Sequence, residues 1–324
     1  MMNSRASRID FRAIADSALL VILIYVAMTI VYGLVQPSAL SQRSIESLLN
    51  NSLPLMLAAA GATIIILQGG FDLSVAGVIS VANVVVAVLE LEGVTGAAIS
   101  LGAVVAIGLT VGAINGYLVA YLKIQSIAAT LATMIICKGI ALLILKAPGG
   151  YVSDFMAYDL TASFFDLVPI AAVTALVIMG VWSVFRRSNR GRALMAVGED
   201  EHAAALSGID VRRTRFLAFC IAGVFYGLAG FMLAAQTATG NPAAGDPFLL
   251  LTFAAVAIGG TAFSGGQGGV TASLFGAATL MLMQKMLFAL GVSSFYTGVV
   301  QGTIMILAVL FTSFVQRLSR RKSF

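Results

Sequence analysis

Few residues in this chain are equipped for covalent or metal chemistry. His202 is the only histidine, and the two cysteines, Cys137 and Cys220, lie far apart inside apolar runs, so neither a zinc site nor a disulfide finds its ligands at workable spacing. Hydrolysis within a membrane needs a nucleophile beside a base, yet the single histidine falls in a polar stretch bordered by arginines. No Gly-x-x-x-x-Gly-Lys-Ser/Thr loop is present to cradle a nucleotide phosphate. No metal, cofactor or catalytic residue is therefore expected, and any ATP hydrolysis must come from a partner. What the chain does offer is polar groups in apolar surroundings: Asp72 and Ser74, with the uncharged Gln68, Asn83, Asn115, Thr130, Thr133 and Gln284. Such groups either hydrogen-bond a neighbouring helix or line a path for a neutral, hydroxyl-rich solute. Both readings stand on the sequence.

Composition fixes the elements that hold these groups. Of 324 residues, 60% are apolar and 10% charged, too few charges to clothe a soluble domain. With about 20 residues per membrane-spanning helix, the chain accommodates about ten spans and no separate catalytic domain. Apolar runs broken by charge, Pro and Gly place the spans near 18–36, 53–68, 74–89, 96–121, 125–145, 167–185, 215–235, 248–263, 270–288 and 297–315. The expected fold is an all-α, polytopic transmembrane helical bundle with broken helices, a single transmembrane domain over residues 1–324.

Orientation follows from the cations, which accumulate in cytoplasmic loops. Arg5, Arg8 and Arg12 put the N-terminus inside; ten spans then leave Lys123, the seven arginines between Arg186 and Arg215, and the C-terminal Arg317, Arg320, Arg321 and Lys322 on the same side. Only Arg43 and Lys146 fall in outer loops, while Lys138 and Lys285 lie within spans near their outer ends, from which they can snorkel. Both termini are expected in the cytoplasm, and the protein in the inner membrane if its source is a bacterium. The net charge of +5 does not suggest nucleic acid, because the cations cap hydrophobic segments instead of gathering on a water-facing surface. Glycines at four-residue spacing, Gly108/Gly112/Gly116, Gly223/Gly227 and Gly298/Gly302, mark faces for close helix packing.

Three stretches interrupt the apolar pattern. At Gln68-Gly69-Gly70-Phe71-Asp72-Leu73-Ser74 a helix must end or break, with Asp72 or Ser74 capping the next. A glycine cluster from Gly259 to Gly269 makes a second compliant segment on the same side. The third, the loop 186–215, contains Val197 to Asp210, which reads as a short helix. Its acids Glu199, Asp200 and Glu201 sit at the positive end of the helix dipole, its middle is Ala-rich, and Gly208 ends it. A helix this short does not persist alone, so docking into a groove on a cytoplasmic protein is expected.

The G-G-x-D-L-S element at Gly69–Ser74, G-R-x-x-x-A-V-G at Gly191–Gly198, A-A-x-x-S-G-I at Ala203–Ile209, and the later G-G-T and G-G-x-G-G elements resemble those of the permease subunits of bacterial ribose-type carbohydrate ABC importers. The resemblance spans nearly the whole chain. It implies a homodimer, or a pair of related permeases, with two cytoplasmic ABC ATPase subunits below and a periplasmic sugar-binding protein above. It also implies that Gly198, Glu199, Asp200, Glu201, His202, Ala204, Ser207 and Gly208 form the helix that couples the permease to the ATPase. Here Glu-Asp-Glu-His stands where relatives commonly carry an Asn within that turn. The function expected is import of a small sugar or related polyol. A branched-chain amino-acid ABC permease is the rival of the same architecture, and an ion-coupled secondary transporter the rival of a different class. The latter usually carries acids or histidines within its spans, and Asp72 alone approaches that description in the sequence.

Overall fold

The computed structural model describes residues 11–164, 168–292, 298–299 and 302–303, with side chains from Leu19 onward. The terminal arginines and nearly all of the expected tenth span, 297–315, lie outside the described residues. The long helices are α1 (Phe11–Val35), α2 (Gln42–Leu67), α3 (Val75–Leu89), α4 (Gly93–Ala120), α5 (Ser126–Ile144), α6 (Ile170–Arg187), α9 (Val211–Thr237), α10 (Asp246–Ile258) and α11 (Val270–Ala289). Between α6 and α9 lie two short helices, α7 (Asn189–Glu199) and α8 (Glu201–Leu206). Among the described residues six helices are long and apolar enough to cross a membrane, and three shorter apolar ones, Leu19–Val35, α3 and α10, accompany them. Among the described residues the only strands are the two-residue β1 (Ser163–Phe164) and β2 (Val168–Pro169), paired antiparallel. The chain is an all-α, multi-pass membrane protein.

Helix α2 is the axis of the bundle. Every residue from Ser52 to Leu67 is buried, as befits a helix apolar on all faces, and α9, α11, α10 and α6 pack around it. The closest seam is between α4 and α9. A Cβ on Gly108 would overlap the carbonyl of Gly223, one on Gly112 that of Phe219, and one on Gly227 that of Val104. Two of the glycine rows thus pack on each other. Backbone contact of this kind supplies dispersion energy where lipid offers no hydrophobic drive. Gly298 and Gly302, by contrast, meet nothing within 4 Å.

The connections sort to two ends. At one, Gly266 N–H donates to Leu67 C=O at 2.9 Å, bringing the 68–74, 186–215 and 259–269 segments together at the arginine-rich end. At the other, Gly149 and Gly240 exchange backbone hydrogen bonds, Tyr151 N–H donates to Ala87 C=O, and Lys285 Nζ donates to Ser44 C=O at 2.7 Å. Lys285 therefore reaches the first turn of α2.

The α9–α10 connection departs from the sequence reading, which started a span at 248 and left Asp246 in an outer loop. Residues 238–245 instead turn back and run down α3. Gly240 lies against Ala87, Asn241 N–H donates to Asn83 Oδ1 at 2.7 Å, and Gly245 N–H donates to Ser80 Oγ at 3.0 Å. Gly245 is pressed so closely on the Ala76 carbonyl that no side chain fits. Ser80 precedes Glu90, the residue that ends α3, by about 15 Å of helix at 1.5 Å per residue, and that is half of a hydrocarbon core of about 30 Å. Helix α10 thus begins beside the Ala76–Ser80 stretch of α3, inside the bundle, and its 13 residues run from there to the arginine-rich end.

Alanine substitutions on one helix test the seam. Gly102 of α4 has nothing within 4 Å where a Cβ would go, so Gly102→Ala is expected to leave stability unchanged or raise it by up to about 1 kcal/mol. Gly108→Ala forces α4 from α9 and is expected to cost about 1–3 kcal/mol. Thermal melting of the detergent-solubilised protein should lower the midpoint for the second variant only.

Candidate functional site

The arginine-rich end is built on the interruption after α2. Gln68 caps the helix, Gly69 takes φ +79°, and the N–H groups of Gly69 and Gly70 donate to Ile66 and Ile65 carbonyls at 2.9 and 3.0 Å. This paired closure satisfies two of the orphan carbonyls, and the left-handed residue in it is best supplied by glycine. Leu67 C=O is taken by Gly266, which comes from the second glycine cluster. Gly265 and Gly266, at φ +90° and +74°, let the 259–269 turn lie flat against the break. Phe71 and Phe263 stack above it with centroids 5.9 Å apart. A buried hydroxyl chain anchors the same turn to the axis. Thr63 Oγ1 donates to Ser273 Oγ at 2.7 Å, and Thr261 Oγ1 accepts from Gly269 N–H at 3.3 Å. The sequence gives no signal for Thr63, Thr261 or Ser273, since a hydroxyl in an apolar helix ordinarily bonds its own preceding turn.

The loop reaches this junction through Gly198. A Cβ there would overlap Leu67 C=O and lie 2.7 Å from Gly266 N, so three chain segments meet through backbone alone. The expected single helix is two. Ser188 caps α7, whose Leu194, Met195 and Val197 are buried, and Gly198 and Glu199 are its last residues. Asp200 then caps α8, accepting Ala203 N–H at 3.0 Å, so only Glu201 of the three acids stands in α8's first turn. Glu201 forms a forked ion pair with Arg215 at 2.8 and 3.1 Å. The break arises because Asp200 offers its carboxylate to the amides that follow it. Gly208 ends α8 at φ +81° with open space around it.

Within α8, Ala204 faces the bundle and is buried, while His202, Ala205, Ser207 and Gly208 are exposed. Leu206, which the sequence reading passed over, is 90% exposed at the tip. Its signal was a lone large apolar residue in an otherwise small and polar segment.

Five of the eight polar candidates join one buried network. Asp72 Oδ1 accepts from Ser74 N–H at 2.9 Å and from Ser74 Oγ at 2.6 Å. Ser74 Oγ in turn accepts from Asn115 Nδ2 at 2.9 Å, and Asn115 Oδ1 from Thr133 Oγ1 at 2.8 Å. Thr130 Oγ1 accepts from Leu73 N–H at 3.0 Å. The cap expected at the start of α3 is not made by a side chain to a helical amide. Ser74 occupies the cap position without bonding the helix, and Asp72 holds Ser74 instead. The network ties the entry of α3 to α4 and α5, and all five side chains are buried. The other three stand apart: Asn83 clamps the descending 238–245 segment, Gln68 is buried with Oε1 unpartnered, and Gln284 is half-buried on α11. Among the described residues no group of three or more His, Cys, Asp or Glu is placed to hold a metal.

Comparison with known proteins follows the same outline. The family described as branched-chain amino acid transport system / permease component matches residues 44–309. The ribose import permease of Bacillus subtilis (strain 168) is 33% identical over 300 residues, 91% of this chain and 90% of that protein. The L-arabinose transport system permease of Escherichia coli (strain K12) is 33% identical over 276 residues, 82% of this chain and 80% of its own length. The D-allose transport system permease of the same organism is 31% identical over 281 residues, 86% of each chain. No solved structure matches the chain. With the match running from the first turn of α2 past the end of α11, and with the broken helices and the capped loop lying inside it, the chain belongs to this family of transport-system permease components, on the side of its ribose-type sugar importers.

Proposed function

We propose that the chain is the membrane-spanning subunit of an ATP-driven importer that carries a small sugar or related polyol from periplasm to cytoplasm across a bacterial inner membrane. The arginine-rich end is the cytoplasmic one by the cation asymmetry, and the described chain there comprises Lys123 and the loop arginines. Ten spans place both termini on that side. The chain pairs with itself or with a related permease, takes two cytoplasmic ABC ATPase subunits as its source of energy, and receives solute from a periplasmic binding protein. The family's description mentions branched-chain amino acids. The sugar reading rests on the ribose, arabinose and allose permeases among the relatives.

The observation that carries the mechanism is the exposed helix α8, tipped by Leu206, joined to α7, which is fastened at Gly198 to Leu67 and Gly266. A ligand shifts a conformational equilibrium only through differential contact with its states. The ATPase makes such contact with α8, seating Leu206 in its groove with His202, Ala205 and Ser207 around it. Ala204, Glu201 and Arg215 hold α8 against α9 and the bundle. Movement of α7 then acts at one point on the end of α2, the entry to α3 and the turn before α11. Cargo selection resides largely in the binding protein, so the solute that protein holds after co-purification identifies the cargo.

Vesicles containing the permease with its ATPase and binding protein should take up solute only with ATP. Uptake driven by a proton or sodium gradient without the ATPase would replace this reading with that of a secondary transporter. Leu206→Asp is expected to reduce co-purification of the ATPase at least about tenfold, the scale of a 1.4 kcal/mol contact, without lowering the melting temperature. Gly208→Val puts a β-branched residue at φ +81°, a strain of about 1–3 kcal/mol. It is expected to uncouple ATP hydrolysis from uptake while the bundle stays folded. Gly198→Ala, which opens the three-segment junction, should do the same with the ATPase still bound, and normal uptake by that variant would remove the junction from the mechanism.

A further inference from the structure

The start of α10 beside α3, inside the bundle, creates a feature that the sequence concealed. Asp246 lies in its first turn, and its carboxylate meets Lys138 Nζ of α5 at 2.6 Å. Lys138 is thus paired with a carboxylate of another helix. It belongs to the stretch of α5 that packs on α3 around Gly77, where Cys137 Cβ and the Met134 carbonyl crowd the glycine. That is the same level of α3 against which Gly245 is seated. Two opposite charges are thus paired across α5 and α10 within the length of the α5 span.

The pair is not sealed. The Lys138 and Asp246 side chains retain 34% and 49% exposure, whereas Cys137, one residue away, is buried. Charge turned toward hydrocarbon at this depth is costly, and intramembrane charges therefore face a bundle interior or a water-filled cavity. The surface around them is mixed in a particular way. Ile135 on α5 and Leu250, one turn along α10 from Asp246, are 60% and 64% exposed. An ammonium that donates, a carboxylate that accepts and flanking aliphatic side chains match a neutral polyol, whose vicinal hydroxyls need both kinds of partner and whose C–H face is apolar. The Asp72 network offers none of this, because it is buried and its polar atoms are used on one another.

We propose that Lys138 and Asp246 line the solute's aqueous path and contact the hydroxyl groups of a passing polyol. The proposal rests on the importer reading above, and it moves the candidate pathway from the Asp72 network to the open α5–α10 face. In the assembled importer this face is watered and bordered by the second permease subunit, while the seam between α4 and α9 lies elsewhere.

The test uses the permease with its ATPase and binding protein in membrane vesicles. Asp246→Cys and Lys138→Cys are made singly in a Cys137→Ala, Cys220→Ala background and treated with a charged, membrane-impermeant methanethiosulfonate. Because thiol reactivity follows access to water, both engineered cysteines are expected to react at least about tenfold faster than Cys137 of the unaltered chain, the buried reference at the same depth. Reaction no faster than that of Cys137 overturns the proposal and places the pair in lipid or in a dry subunit seam. Should the cysteine variants fail to assemble with the ATPase, Asp246→Glu and Asp246→Asn decide. ATP-dependent uptake should persist with Glu and fall at least about tenfold with Asn, and equal uptake by the two overturns the proposal. Absence of ATP-dependent uptake in the unaltered chain would defeat the importer reading itself, and the labelling result is read independently of it.

Discussion

A backbone that leaves a helix inside a membrane must find its hydrogen bonds within the protein, because hydrocarbon offers none. That constraint organises this molecule. Each interruption is closed by a named partner: the end of α2 by its own preceding carbonyls and by Gly266, the descending 238–245 segment by Asn83 and Ser80, and the 259–269 turn by Thr261 and the Thr63–Ser273 pair. The partners are short side chains or bare amides, which keeps the interrupted segments close to the helices they lean on. Glycine recurs at these places for two separate reasons. Gly69, Gly265 and Gly266 adopt positive φ, while Gly198 and Gly245 stand where the carbonyl of another segment occupies the volume of a side chain.

Irregular backbone and tight helix packing divide the bundle into parts with different freedom. The α4–α9 seam is backbone on backbone over three helical turns, and sliding it would separate contacts that nothing else replaces. The Asp72–Ser74–Asn115–Thr133 network pins the entry of α3 to α4 and α5 in the same manner. At the arginine-rich end, by contrast, α7 meets the junction through its last two residues, Gly198 and Glu199, and α8 projects beyond it. A push delivered through α8 therefore meets a stiff body at one compliant joint, which is the arrangement a lever requires.

Much of this was legible in the sequence because it depends on composition and local pattern. Apolar runs gave nine helices close to their observed positions, and the arginines of the loop told the two ends apart. The glycine rows announced close packing. What the sequence withheld was long-range pairing: that Gly108 faces Gly223, that the two glycine-rich breaks touch each other, and that Gly198 fits between them. It also misplaced Asp246. A segment such as Ala238-Thr-Gly-Asn-Pro-Ala-Ala-Gly245 carries the turn chemistry of an exposed loop, and only the acceptors waiting on α3, Asn83 and Ser80, reveal that it lies inside. The division of Val197 to Asp210 into two helices was hidden for a related reason. Acids near a helix start are read together as favourable to the dipole, but Asp200 makes the stronger local hydrogen bond and starts a new helix.

Two carboxylates at depth make the distinction between holding a membrane protein together and serving its cargo concrete. Asp72 has the stronger sequence signal, flanked by paired glycines and a serine, and the structure spends its hydrogen-bonding capacity on Ser74 inside a closed network. Asp246 has almost no signal, yet it meets a lysine of another helix and keeps half of its side chain open. A buried carboxylate whose Oδ1 is already held by Ser74 cannot greet a solute without first disturbing the contacts that position three helices. A half-open ion pair can, since a hydroxyl that inserts beside it replaces water and leaves the helices where they are. Intramembrane charge is thus a guide to function only when joined to accessibility, and accessibility is set here by a chain reversal that polar side chains of α3 make affordable.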